Sequence, residues 1–96
     1  MEELNAGDLR GREVIDSRGN VLGEVKDVTL DPAKWRVTGL RVGLKRDVAD
    51  KLRVERPLVG SADLSLAVER VKNIGDTVML NVDTTQIGEL LNHKGP

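Results

Sequence analysis

His93 is the only histidine of the chain, and cysteine is absent. The side chains best suited to proton transfer near neutral pH, to thiolate attack and to the strong zinc patterns are therefore almost missing. His93 stands beside Lys94-Gly95-Pro96 and reads as a solvated tail residue. Asp27, Asp31 and Asp83 offer carboxylates for a magnesium ion. However, Asp31 opens a turn before Pro32 and Asp83 precedes a helical pattern, and both are places where aspartate caps backbone N–H groups. Ser17, Ser61 and Ser65 lack a strand–turn–helix elbow, so none reads as a nucleophile. Gly7, Gly11 and Gly19 are scattered around a strand and a turn, away from the strand-to-helix junction that cradles phosphate. No catalytic, metal-binding or cofactor-binding residue is assigned, and the chain is expected not to be an enzyme.

Contact chemistry is what remains. Trp35 is the only aromatic residue. It either closes the core at the end of a hairpin or stands exposed as an anchor, since tryptophan is enriched at binding hot spots. Ile87, Leu90 and Leu91 form an apolar stripe that either plugs an open barrel end or packs on a second subunit. These four are the candidate protein-binding residues. Nucleic acid is not an expected partner. Fifteen Lys/Arg against sixteen Asp/Glu leave a net charge of −1, without the basic excess that phosphate binding needs. The cations Arg10, Arg12, Lys26, Arg36, Arg41, Lys45 and Arg46 are interleaved with Glu13, Asp16, Glu24 and Asp27, which dilutes their field. One aromatic is also too few for base stacking.

The elements that must position these residues are mostly strands. Leu9–Ile15 reads as a first strand, ended by the turn residues Asp16 to Asn20. Val21–Leu30 and Trp35–Leu44 follow as a hairpin around Asp31-Pro32-Ala33-Lys34. Within it the apolar phase breaks: Val21 and Val25 oppose Val28 and Leu30, and Val37 opposes Leu40, Val42 and Leu44. A bulge in each strand, near Gly39 in the second of them, corrects the phase and curls the sheet. Arg46–Leu52 reads as a short helical turn with an Asp47–Lys51 pair. Residues 53–63 are irregular, and Leu64, Leu66 and Val68 alternate as a fourth strand. Arg70–Ile74 and Thr77–Val82 flank Gly75-Asp76, the signal of a two-residue hairpin loop with glycine at a positive φ. Thr84–Leu91 is a C-terminal helix, with Asp83 and Gln86 spaced as a capping box.

Ninety-six residues suit one domain with a thin aliphatic core. The expected organisation is an extension over 1–8, a domain over 9–91 and a frayed tail over 92–96. The fold class is mostly β: a small curled antiparallel sheet or barrel of about six strands. The absence of cysteine, of an apolar leader and of any run near the roughly 18 residues of a membrane span points to the cytoplasm, with no direct membrane insertion.

The segments Leu9-Arg10-Gly11-Arg12-Glu13-Val14-Ile15 and Gly19-Asn20-Val21-Leu22-Gly23-Glu24-Val25-Lys26-Asp27-Val28, then the return strand ending Val42-Gly43-Leu44, resemble the PRC-barrel family. Asp47 to Leu52, Pro57-Leu58-Val59-Gly60 and Ile74-Gly75-Asp76 look like its short stand-alone archaeal members. The resemblance implies a small β-barrel docking module without catalytic residues or cofactors. It also implies a likeness to cell-division proteins that dimerise and bind a SepF-type membrane anchor of the tubulin-like ring. A protein-binding adaptor, homodimeric, is the function expected. The alternative is a ribosome- or RNA-associated maturation module similar to the C-terminal domain of RimM.

Overall fold

A computed structural model of the chain describes residues 4–54, 58 and 60–92. The elements follow in the order α1 (Ala6–Leu9), β1 (Glu13–Ile15), β2 (Val21–Asp31), β3 (Arg36–Leu44), α2 (Arg46–Leu52), β4 (Asp63–Ala67), a 3-10 turn (Val68–Arg70), β5 (Val71–Ile74), β6 (Val78–Leu80) and α3 (Thr84–Asn92). The six strands form one sheet in the order β4-β3-β2-β1-β6-β5. All neighbours are antiparallel except β1 and β6, which run parallel through Val14↔Val78 and Ile15↔Met79. The sheet is therefore mixed, where the hairpin pattern of the sequence suggested a wholly antiparallel one. Pairing between the first and last strands is set by tertiary closure, and no local turn signal encodes it.

That closure follows from chain length. The edge strands β4 and β5 are consecutive in the chain and joined only by the three-residue turn Val68–Arg70. Six flat strands would hold their edges about 24 Å apart, whereas three residues reach only about 10 Å. The sheet must curl, and bulges let it. Lys26 is the extra residue of β2 between Val25↔Val42 and Asp27↔Arg41, and Thr38 that of β3 between Thr29↔Gly39 and Leu30↔Val37. One bulge in each hairpin strand, the second beside Gly39, is what the phase break in the sequence required. Further bulges fall at Leu22 and Lys72.

Inside the curl Val14, Leu22, Val25, Val42, Val78, Leu80 and Ile87 are fully buried. Gly23 lets two strands approach this closely, because a Cβ there would lie 1.9 Å from the Gly43 carbonyl oxygen. Gly19, at φ 86°, supplies the left-handed turn that brings β1 round to β2.

Several local expectations are corrected. Leu9 ends a helical turn and packs in the core, so the first strand begins only at Glu13. Val68 lies beyond β4 in the 3-10 turn and is exposed. The last hairpin has a three-residue loop, Gly75 to Thr77, and Gly75 does not take a positive φ. The Asp47–Lys51 pair does not form. His93, Pro57 and Val59 lie outside the described residues. By contrast, the capping box of α3 forms as its spacing requires. Gln86 N–H donates to Asp83 Oδ1 at 2.8 Å, and Asp83 N–H donates to Gln86 Oε1 at 2.8 Å.

Candidate docking surface

β1 pairs with β2 only across Val21–Glu24, and β4 pairs with β3 only across Gly39–Gly43. The far end of the β2–β3 hairpin thus leaves the barrel as a two-stranded arm. Ladder pairs Leu30↔Val37 and Asp31↔Arg36 hold it, with a 3.1 Å contact between the hydroxyls of Thr29 and Thr38. At its tip Ala33 N–H donates to Asp31 Oδ1 at 3.0 Å, the turn-capping role assigned to that aspartate.

Trp35 follows in this turn and is 83% exposed. It does not close the core, because the arm carries it past the last strand it could pack against. Its φ of 50° is left-handed, a region that bulky side chains rarely adopt. Leu30 and Val37, opposite each other in the ladder, share one face of the arm and are also exposed.

Beneath the arm the barrel opens into an apolar groove of about 270 Å³. Its walls are Leu4 and Leu9 from the α1 region, Val37 from the arm, and Val68, Val71 and Ile74 from the turn and β5. Of these, Leu4, Val37, Val68 and Ile74 are each 40–48% exposed. Sequence reasoning missed the groove. The out-of-phase positions of Leu30 and Val37 carried a signal, but a bulge was expected to return them to the core. It returns only Val28, which packs against the buried cluster.

At the opposite end α3 covers the core. Of the three α3 candidates, Ile87 is 1% exposed and fills the core, Leu91 packs against it, and only Leu90, at 38%, remains on the surface. The plug reading therefore holds for Ile87, which is removed from the docking candidates. Trp35 lies at the arm tip and Ile87 in the core beneath α3, at the far ends of the β2 strand, so the four candidates do not form one site.

The docking of α3 depends on Asp16, a residue that reads in the sequence as an ordinary turn aspartate. It is 0% exposed. Oδ1 accepts the N–H groups of Arg18 (2.9 Å) and Asn20 (2.8 Å). Oδ2 accepts Asn20 Nδ2 (3.0 Å), Thr84 N–H (3.0 Å) and the Thr84 hydroxyl (2.7 Å). Burial opposes the charge, yet the side-chain hydrogen bonds from Asn20 and Thr84 and the backbone ones from Asn20 and Arg18 outweigh it. The pKa is lowered to about 2. Every acceptor direction of the carboxylate is engaged in structure, which leaves it no free lone pair for substrate.

Several other charged candidates are likewise occupied. Asp27 pairs with Arg41, which also lies 3.8 Å from Asp63. Asp83 caps α3 and pairs with Arg18 at 3.3 Å. Arg10 donates to the Lys26 carbonyl, and Arg12 to the carbonyls of Asp8 and Gly75. Asp27, Asp31 and Asp83 do not converge, and no three potential ligands come together among the described residues. A larger cavity of about 660 Å³ beside Asp16 is lined by side chains of both signs, among them Lys45, Asp47, Lys51 and Glu89. Among the described residues no helix is long and apolar enough to cross a membrane.

Comparison with known proteins agrees with this architecture. The sequence model of the PRC-barrel domain matches residues 1–87. A search of curated proteins found no match. A six-stranded curled sheet closed by a 3-10 turn, with nearly the whole chain matched, places this protein in the PRC-barrel domain family.

Proposed function

We propose that this PRC-barrel domain is a non-enzymatic adaptor that holds a protein partner in the apolar groove. The groove itself carries the reading. Leu4, Val37, Val68 and Ile74 converge on one concavity in a chain of which 32% is charged, and an apolar concavity can bury a partner's side chain. The setting we propose is archaeal cell division, with a SepF-type anchor of the tubulin-like ring as the partner. Its support is the resemblance of the sequence to the short stand-alone archaeal members. A homodimer is part of the same proposal, with Leu90 as its surface residue on α3.

Strand addition at the β5 edge is the weaker route to association. β5 has four residues, carries Lys72 and is bulged at that lysine, the features that discourage pairing at an edge. The groove offers side-chain burial instead.

The test compares the immobilised chain with its Val68→Asp variant. Both are exposed to lysate of the source organism, and the purified SepF-type anchor is then titrated directly. Val68 sits on an exposed turn, so the variant is expected to fold while anchor binding falls at least tenfold, the effect of placing one charge in an apolar contact. Ribosomal proteins or RNA retained in place of the anchor, with binding that falls steeply with salt, would instead establish the RimM-like maturation module. An anchor that binds both proteins equally removes the groove from the reading.

A further inference from the structure

The arm tip differs from the groove in shape and in charge. It is convex, its residues Leu30 to Arg36 lie outside the groove lining that Val37 joins, and its run Leu30-Asp31-Pro32-Ala33-Lys34-Trp35-Arg36-Val37 combines apolar side chains with two cations. We propose that this tip is a lipid-contact device: Trp35 seats at the headgroup level of an anionic bilayer, with Lys34 and Arg36 on the lipid phosphates.

Four observations point there. Trp35 is held outward by a left-handed backbone that glycine or asparagine would adopt with less strain, and most of its surface is in solvent. Strained left-handed positions cluster at functional sites. An indole is apolar over its rings and carries one N–H donor, the combination that favours the membrane–water interface. Lys34 and Arg36 flank it, are exposed, and their side chains have no ion-pair or hydrogen-bond partner among the described residues. Their long stems can lie along apolar surface while the charges stay at phosphate depth. The one acid of the tip, Asp31, is half-buried and accepts Ala33 N–H within the turn, so the tip is net positive on a chain of net charge −1. Behind the tryptophan, Leu30 and Val37 extend the apolar surface on a single face.

The same geometry limits the depth. The turn backbone at the tip is not satisfied by a ladder, so it can enter the headgroup region but not the hydrocarbon core. A rigid protein partner would need a matching pocket to cover a convex tip, whereas a fluid headgroup layer conforms to it. The inference is independent of the partner reading, because the vesicles that test it contain no protein.

Trp35 is the only tryptophan, so the emission of the intact chain reports on this position alone. The purified protein is titrated with vesicles of phosphatidylcholine containing roughly one-third phosphatidylglycerol, and with pure phosphatidylcholine. The expected result with anionic vesicles is a shift of emission to shorter wavelength and quenching by brominated acyl chains. Half-maximal change is expected at roughly millimolar lipid, weaker than a single acyl anchor. Raising the salt should weaken the binding. The double variant Lys34→Glu/Arg36→Glu is expected to lose at least tenfold in vesicle affinity with an unchanged circular dichroism melt. Trp35→Gly, which relaxes the backbone, is expected to lose vesicle co-sedimentation. Unchanged emission at several millimolar anionic lipid overturns the proposal, as does equal binding to neutral vesicles. Loss of vesicle binding in Val68→Asp also overturns it, because the lipid would then sit in the groove.

Discussion

The two ends of this barrel solve opposite problems. At the α3 end a buried carboxylate accepts five hydrogen bonds, a capping box closes the helix and Ile87 fills the core behind it. At the arm end apolar side chains stand in water, and the bulkiest residue of the chain occupies a strained left-handed position. The first end is over-determined at its interior, since Asp16, Asp83, Gln86 and Ile87 each have partners within the chain. The second end is under-determined, since Leu30, Trp35 and Val37 are left exposed. On the proposed reading, stability is concentrated at the former and binding capacity at the latter, as expected where contact surfaces cost stability.

The contrast is broken most severely by substitutions at the closed half. Gly23→Ala forces a Cβ to within 1.9 Å of a backbone carbonyl that has no room to move. We expect a loss of about 3 kcal/mol or more, read as failure to fold or as a large drop in the urea midpoint. Wild-type stability in this variant would mean that β2 and β3 are looser at Gly23 than described.

Asp16→Asn is next. The amide keeps one acceptor but turns an NH2 group towards N–H or hydroxyl donors at Arg18 and Asn20 or at Thr84, for a cost of about 2–3 kcal/mol. Denaturant unfolding measures the loss. Faster amide exchange along α3 and in the Ser17–Val82 contact would locate it. The same carboxylate sets an acid limit. Its folded pKa of about 2 lies below the ordinary 3.8, so its stabilisation is fully present above about pH 4 and is lost as pH falls towards 2. The amount is roughly 2 kcal/mol. Asp16→Asn should flatten the pH dependence of stability in that window, and a slope equal to wild type would assign the acid sensitivity to other carboxylates.

How far the sequence reaches also differs between the ends. The capping pair Asp83 and Gln86, the turn at Asp31 and the bulge beside Gly39 were legible, because each is fixed by side-chain spacing within a few residues. Asp16 was not legible as a core residue. Its burial depends on Thr84, 68 positions away, and nothing near Asp16 distinguishes it from an exposed turn aspartate. The parallel β1–β6 pair was hidden for the same reason. Leu30 and Val37 were visible as out of phase, yet a bulge explained them equally well until the lengths of β1 and β4 showed that no strand covers the arm.

At the open end the expected effect is smaller and of opposite sign. Trp35→Gly relaxes a left-handed φ of 50° and deletes a largely exposed side chain, so stability should rise, by up to about 1 kcal/mol. The gain is offset in part by the greater freedom of glycine in the unfolded chain. A stabilised variant with impaired contact would mark Trp35 as held at the expense of the fold. A destabilised one would show that the indole packs on the arm after all. Thermal melts followed by far-ultraviolet circular dichroism decide between the two.

The smallest effect on stability is expected at Leu90, which stands between the two regimes. It belongs to the closed end by position and to the open end by exposure. With Ile87 inside the core and Leu91 packed against it, Leu90 alone is left of the α3 stripe to face a second copy. Leu90→Asp therefore removes little burial within the chain, and a change within about 0.5 kcal/mol is expected. Its effect on assembly should be larger, since a charge placed on a two-fold contact meets its own copy across the axis. Light scattering of wild type and variant measures this. Dimers that become monomers would make α3 a second contact surface and limit the closed character of that end to its interior. Dimers that survive the charge would free α3 of any role in assembly and leave contact to the arm end alone.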